Sequence, residues 1–300
     1  MVRIAVSAAS GLIGTALVRE LAGGGADVVR LVRRPPRSSA EIRWQPEAPS
    51  GGLDAGALAG VNAVIHLSGA PLAARRWTPG RKAVLRSSRI QSTSSLAAAM
   101  AACDPQPEVL ISASAIGYYG DTGDRAVDET APPGAGFLAE LVRDWEAAAA
   151  PAKEAGIRVV HIRSGLVLSR RGGLLGQLLP PFRLGFGAKI GSGRQYMSWI
   201  SLADEISAIR YLLASAEAKG AYNLTAPEPV TNAEFTRSLA DVLRRPALLT
   251  LPSPVLRLAL GEVSGELLGS ARVTPARLRS AGFSFAHPDI ATALHAALAR

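Results

Sequence analysis

A single cysteine, Cys103, in 300 residues excludes an intramolecular disulfide framework, and the four histidines have no spacing that would make a zinc set. No metal is expected. Apolar runs stay short of the roughly 18 residues a membrane-spanning helix needs, so no membrane partner is expected. With the first strand expected from Arg3, no signal or transit peptide is expected either, and a reduced, cytoplasmic protein is the reading. Aromatic residues are only 5% of the chain, and they do not interleave with the basic residues, which are mainly arginines scattered among alanines. The formal charge of +9 is therefore read as suited to an anionic small molecule and not to nucleic acid.

What is present is a chain 48% hydrophobic, enough to bury an α/β core with a smaller appended unit. Strand-like runs at Arg3–Ser7, Val28–Val32, Ala63–Leu67, Val109–Ser112 and Arg158–Arg163 alternate with helical stretches such as Gly11–Ala22. That alternation predicts an α/β fold, a Rossmann-type doubly wound parallel sheet with its ligand at the carboxyl edge. The run Val64-Ile65-His66-Leu67 indicates burial on both faces. Residues Pro35 to Pro49 read as a surface loop with a short strand around Ile42-Arg43-Trp44. After about residue 170, Gly172-Gly173, Pro180-Pro181 and Gly185 to Gly193 interrupt the pattern. The expected division is a nucleotide-binding unit over 1–170 and a substrate-side unit with C-terminal helices over 171–300, the sheet being partly shared. Thr231 and Glu234 have capping-box spacing, which starts a helix.

The turn after the first strand reads Ser7-Ala8-Ala9-Ser10-Gly11-Leu12-Ile13-Gly14. Gly11 lets backbone approach a diphosphate, Gly14 lets the helix pack close to the strand, and the helix start from Ser10 through Leu12 and Ile13 offers N–H groups and a positive dipole. Alanine at position 8 replaces the first glycine of the pattern. If the turn needs a positive φ there, the methyl costs about 1 kcal/mol or more. At the offset where an acidic residue would grip an NAD ribose, the chain has Arg33-Arg34, and guanidinium groups suit the 2′-phosphate of NADP(H).

Together with His66 to Ala70, Ser87 to Ile90, Ser112 to Gly120, Arg163 to Leu168, Pro181 to Gly185, Gly191 to Gln195 and Ser198 to Ile200, this turn resembles the extended, atypical short-chain dehydrogenase/reductases. Within these NAD-dependent epimerase/dehydratase-like proteins, the sequence is similar to the sugar-nucleotide-epimerase-like subfamily sometimes labelled cell division inhibitor, whose small C-terminal helical region is matched by Leu251 to Leu298. The resemblance spans nearly the whole chain. It implies that Leu67, Ser68, Gly69, Arg89, Ser164, Gly165, Leu166 and Val167 approach the cofactor, with Ser112 and Ala113 through Tyr119 beside the nicotinamide.

The superfamily's Tyr-x-x-x-Lys pair is missing: the helix expected to carry it reads Phe137 to Glu146 without tyrosine or lysine. Ser114 and Tyr118 are the catalytic candidates, with Tyr119 as an alternative phenol. His66 is read as a core residue or, alternatively, a participant in chemistry. Asp128-Glu129 and Asp204-Glu205 are read as surface or capping residues. Met197-Ser198 stands where sugar-nucleotide epimerases commonly present an arginine-aspartate pair, which weakens a diphosphate-sugar reading. Arg194, Gln195, Tyr196 and Trp199 either line a pocket or pack a loop. Two functions stay open. One is an NADP(H)-dependent oxidoreductase or epimerase-like enzyme acting on a small carbonyl, hydroxyl or imine substrate; the other is an NADP(H)-binding sensor without turnover. A homodimer is compatible with either.

Overall fold

Strands that are apolar on both faces need cover on both, and the chain supplies a helix after nearly every one. The computed structural model describes residues 1–48, 52–53, 55–72 and 76–299, so Pro49 of the expected loop and Arg300 of the expected second unit lie outside the described residues. Its first half runs β1 (Arg3–Ser7), α1 (Leu12–Gly23), β2 (Asp27–Val32), β3 (Glu41–Arg43), β4 (Ala63–His66), α2 (Pro79–Ala101), β5 (Val109–Ala115), α3 (Phe137–Ala147), α4 (Ala150–Glu154) and β6 (Arg158–Ser164). The second half adds β7 (Leu166–Leu168), α5 (Gly173–Arg183), β8 (Ala188–Ile190), β9 (Tyr196–Met197), β10 (Trp199–Ser201), α6 (Leu202–Ala214) and β11 (Gly220–Leu224). It closes with β12 (Val230–Thr231), α7 (Asn232–Leu243), β13 (Leu249–Leu251), α8 (Ser253–Leu260), α9 (Val263–Leu268), α10 (Ala276–Ser280) and α11 (Ile290–Leu298).

Seven parallel strands form the central sheet in the order β11-β6-β5-β4-β1-β2-β3. The order reverses between β1 and β4, and such a switch point opens a ligand crevice beyond the carboxyl ends of the strands. Alternation along each strand sorts the core. Ile4, Val6, Ile65, Ile111 and Ile162 pack with Leu17 of α1 and Ile209 of α6, while Val64, Leu110 and Val159 pack with Leu96 of α2 and Ala152 of α4. Each such buried aliphatic side chain contributes roughly 1.5–3 kcal/mol. One of the two edge strands, β11, comes from the second half of the chain. Three small strand pairs lie outside this sheet, β7 with β10, β9 with β12 and β8 with β13. No helix among the described residues is long and apolar enough to cross a membrane.

Two strands outrun the sequence expectation. β5 continues to Ala115 and β6 to Ser164, because Ser114 and Arg163 are register partners in the ladder even though their polarity looks like a strand end. The Thr231–Glu234 capping box is formed in both directions at the start of α7.

The β1–α1 turn shows what the glycine spacing is for. A Cβ on Gly14 would lie 2.2 Å from the Ala8 carbonyl oxygen, so only glycine lets α1 approach the turn this closely. Ala8 has φ +50°, the left-handed region that an alanine enters at a cost of roughly 1–2 kcal/mol. Glycine's extra freedom in the unfolded chain returns about 0.4–1 kcal/mol of that. Ala8→Gly should therefore raise stability by about 0.5–1 kcal/mol in urea unfolding; a loss would mean that packing of the methyl outweighs the backbone strain.

Candidate functional site

At the crevice, one hydroxyl ties the first strand to the loop after β4. Ser7 Oγ accepts from Leu67 N at 2.9 Å and from Ser68 Oγ at 3.0 Å, and it lies 2.9 Å from His66 Nδ1. With two donors already arriving, the serine's own proton goes to Nδ1, so His66 carries its proton on Nε2, toward Ser92 Oγ at 3.3 Å. Burial alone pushes His66 down to about 3, and it stays neutral. It is a hydrogen-bonded core histidine, edge-on to Trp44. Beneath the same loop, Arg89 is held by the carbonyls of Leu85 and Ala70 and stands 5.1 Å from the Trp145 ring. Burial first, and the charge of Arg81 second, lower it to about 10. A Cβ on Gly69 would meet this guanidinium at 3.1 Å, so the glycine makes room for it.

The two arginines after β2 diverge. Arg34 forms a two-pronged pair with Glu41 of β3 at 2.6 and 2.8 Å, and the Arg37 amide adds a third bond. The hydrogen bond from Arg34 is the main reason that Glu41 falls to about 2. Arg33 is left 79% exposed, with Glu47 only at 3.9 Å. Arg34 therefore braces the loop, and Arg33 faces solvent beside the sheet edge.

Where β5 ends, polar side chains from five segments meet under little water. Ser114 Oγ donates to Glu146 Oε1 at 2.6 Å; Arg163 grips both oxygens of the same carboxylate at 2.8 Å. Arg163 also donates to Tyr119 Oη at 2.9 Å, and Tyr119 donates to Asn223 Oδ1 at 2.8 Å. Burial would raise the Glu146 carboxyl, but the bonds and charge of Arg163 hold it below the ordinary value. Burial dominates at Tyr119 and pushes its phenol up. The Arg163 guanidinium lies 3.5 Å from the centre of the Tyr118 ring, whose hydroxyl has no hydrogen bond among the described residues.

Glu146 also locates the missing pair. Leu138, Val142 and Glu146 share one stripe of α3 at four-residue spacing. Leu138 and Val142 face Gly117 in the short helical turn Ile116–Tyr119, while Glu146 reaches Ser114. The two positions of this stripe before Glu146 thus carry aliphatic groups, with no tyrosine or lysine.

Several expected residues sit differently. Trp199 is fully buried in the core around Phe182 and Phe235. Gln195 is a buried loop anchor that donates to the carbonyls of Ile190 and Leu267, and Tyr196 packs under Arg272. Arg194 is exposed. The cap of α6 is Ser201, which accepts from the Asp204 amide at 3.0 Å, and Asp204 and Glu205 are buried and not surface residues: Asp204 accepts from the amides of Ala286 and His287, and Glu205 accepts from Ser164 Oγ at 2.6 Å. Glu129 accepts from the amides of Asn223 and Arg277, bridging two segments. Ser112 is buried in the ladder opposite His161. Sequence reasoning missed Glu146, Arg163, Asn223 and Glu205; the four-residue spacing of Leu138, Val142 and Glu146 was the available signal for the first.

Residues 4–225 match the NAD dependent epimerase/dehydratase family, and residues 251–297 match a domain of unknown function, DUF1731. An epimerase family protein of Mycobacterium bovis is 49% identical over 298 residues, covering 99% of this chain and 98% of that protein. The mouse epimerase family protein SDR39U1 is 37% identical, covering 97% of this chain and 98% of its own length. The crystal structure of human SDR39U1 (isoform 2) with NADPH superposes with a TM-score of 0.90 at 33% identity, over 98% of both chains. A UDP-N-acetylglucosamine 4-epimerase from Bacillus cereus shares the fold, with a TM-score of 0.78 at 16% identity over 99% of this chain and 98% of its own.

Glu205 provides a test of the buried polar layer. Burial raises its carboxyl from 4.5 to about 7, against the opposing bond from Ser164. The folded protein thus keeps a proton that the unfolded chain releases, and stability is lost as pH rises from about 4.5 to about 7. Melting temperatures from pH 5 to 8 should fall more steeply for the wild type than for Glu205→Gln, whose neutral amide has no such titration. Parallel curves would remove Glu205 as the source.

Proposed function

The chain belongs to the NAD dependent epimerase/dehydratase family, and from that premise we propose that it is an NADP(H)-dependent oxidoreductase or epimerase-like enzyme acting on a small carbonyl, hydroxyl or imine compound. The observation that carries the cofactor choice is Arg33: a guanidinium 79% exposed, held only by a long 3.9 Å pair with Glu47, at the end of β2, on a loop braced by the Arg34–Glu41 pair. The NADPH in the human relative's structure supports the same choice.

The residues present fit such a dinucleotide. Gly11 and Gly14 keep Cβ atoms out of the turn, and α1 has neither a side-chain cap nor an acidic residue in its first turn, leaving its N–H groups for phosphate oxygens. Ser10 to Gly14 would hold the diphosphate and Arg33 the 2′-phosphate. Leu67 to Gly69, Ser112 and Ala113, and Ser164 to Val167 would border the nicotinamide half, with Arg89 fixing the Gly69–Ala70 backbone from below. When bound, the nicotinamide supplies or accepts hydride.

Proton handling falls to hydroxyls. The Ser114 proton is given to Glu146, so at rest its oxygen presents lone pairs, and it must turn from Glu146 to donate to a substrate oxygen. Arg163 keeps both Glu146 oxygens bonded during that turn, which lowers the cost to one charge-assisted bond, about 1.5–3 kcal/mol. Tyr118 offers the uncommitted hydroxyl beside it, its ring fixed over Arg163. Leu138 and Val142 exchange no protons, and this one observation favours the second reading, a sensor that binds NADP(H) without turnover.

Arg33→Ala should weaken NADPH by about 1–2 kcal/mol, roughly 5–30-fold in Kd, and leave NADH unchanged, because the lost contact is charge-assisted but exposed. Equal losses for both cofactors would remove Arg33 from 2′-phosphate recognition. A panel of small carbonyl and imine compounds, followed at the NADPH absorbance band, tests turnover. With a substrate in hand, Ser114→Ala and Tyr118→Phe should each lower kcat roughly a hundredfold while NADPH affinity holds within about twofold. Wild-type turnover in both variants would move the chemistry elsewhere, and tight NADPH binding with no turned-over compound would favour the sensor.

A further inference from the structure

One face of the second half of the chain is unlike the rest of the surface. Apart from Met1, Val2 and Val84, every exposed large apolar side chain among the described residues falls within residues 184–186 or 248–258. The fold joins these two stretches. β13 runs beside β8 with Leu249 opposite Ala188, and a Cβ on Gly187 would lie 2.8 Å from the Ala247 Cβ, a contact flanked by Phe186 and Leu248. On α8 the exposed Val255 and Leu258 are three residues apart, while Leu256 between them is buried and anchors the helix. Single exposed leucines are ordinary, but a contiguous group of them marks an interaction surface.

The shape and charge of this face say what it fits. Leu248, Leu258, Leu184 and Phe186 are 89, 81, 72 and 64% exposed, so they project as knobs and do not wall a groove. No aspartate or glutamate occurs in residues 155–203 or 242–261. The acids that bound the second stretch are Asp241 on α7 and Glu262, which is paired with Lys82. Within the two stretches and at their ends stand Arg183, Arg244, Arg245 and Arg257, all exposed and with no side-chain hydrogen bond or ion pair among the described residues. A second copy of the chain is a poor occupant, because a two-fold contact would set this basic rim against itself. A folded partner would need a matching pocket for each knob. An anionic bilayer needs none: its headgroup boundary yields to leucine and phenylalanine, and arginine stems follow them while the charge stays at the level of the lipid phosphates.

We propose that this face docks on an anionic membrane surface, with Leu184, Phe186, Leu248 and Leu258 entering the headgroup boundary and the four arginines meeting the lipid charges. The sequence expectation of no membrane partner followed from the lack of a spanning run, and a protein that lies on a bilayer needs no such run. Such docking depends neither on NADP(H) nor on turnover.

The full chain is mixed with vesicles of phosphatidylcholine, alone or with phosphatidylserine added, and pelleted beside R245A/R257A and F186S/L248S. The wild type should pellet with the phosphatidylserine vesicles and not with phosphatidylcholine alone, and rising salt should release it. R245A/R257A should lose roughly tenfold in affinity, and F186S/L248S a similar factor, with melting temperatures equal to the wild type because all four sites are exposed. Leu248→Trp gives an independent reading. The native Trp44, Trp77, Trp145 and Trp199 are buried, so a blue shift in emission on adding phosphatidylserine vesicles reports entry of position 248 into lipid. Wild type left in the supernatant with phosphatidylserine vesicles overturns the proposal, as does F186S/L248S binding as tightly as the wild type. An unshifted Leu248→Trp on pelleted vesicles overturns it too. A wild type that ignores vesicles, and instead binds polyglutamate or self-associates through Phe186 and Leu248 in sedimentation equilibrium, gives the face to a protein partner and overturns the membrane reading.

Discussion

Glu146 and Arg163 meet with side chains only 13% and 5% exposed, and an ion pair so far from water persists only if its remaining donors and acceptors are also bonded. That requirement organises the site. Ser114 saturates one carboxylate oxygen, Tyr119 takes the third arginine bond, and Asn223 in turn takes the tyrosine's proton. Satisfying one pair thus fixes the end of β5, the turn after it, the strands β6 and β11 and the inner face of α3. The flat cation of Arg163 then sets the plane of Tyr118, so a phenol with no hydrogen bond among the described residues is held by the same pair.

Much of the fold could be read because its cues are local. Strand, glycine turn and helix follow one another within Arg3–Gly23, and each cue needs only its neighbours in sequence. The capping box at Thr231 is of the same kind. Reading failed where a residue's meaning comes from a distant partner. Arg34 read only as a phosphate ligand, and its pairing with Glu41, on another strand, carried no cue in the sequence. Glu205 looked like an exposed charge next to Asp204, yet it is buried against Ser164, a residue forty-one positions away. Trp199 stood open between pocket lining and loop packing, and the packing of α5, α7 and α11 encloses it.

The absent Tyr-x-x-x-Lys pair illustrates both sides. Its absence was plain in the sequence, but its replacement was not. Leu138 and Val142 keep the helix packed against Gly117, and Glu146 on the same stripe keeps its hold on Ser114. The helix holds its contact with the strand-end hydroxyl through Glu146, while two of its three inward groups carry no exchangeable proton. On the proposed reading, proton transfer then rests on the strand-end hydroxyls and the Glu146 carboxylate, an inventory without the ammonium of the usual pair.

The strand β11 carries a different consequence. It enters from beyond residue 170, pairs in register with β6 from Val160 to Ser164, and brings Asn223 to the buried cluster. A chain severed near residue 170 would leave β6 with a bare row of backbone donors and acceptors, an adhesive edge on the nucleotide-binding half. The two halves of the sequence are thus not modules that recombination can exchange freely. Any graft of a new substrate-side segment onto this scaffold must bring its own closing strand, with an amide or its equivalent at the level of Tyr119.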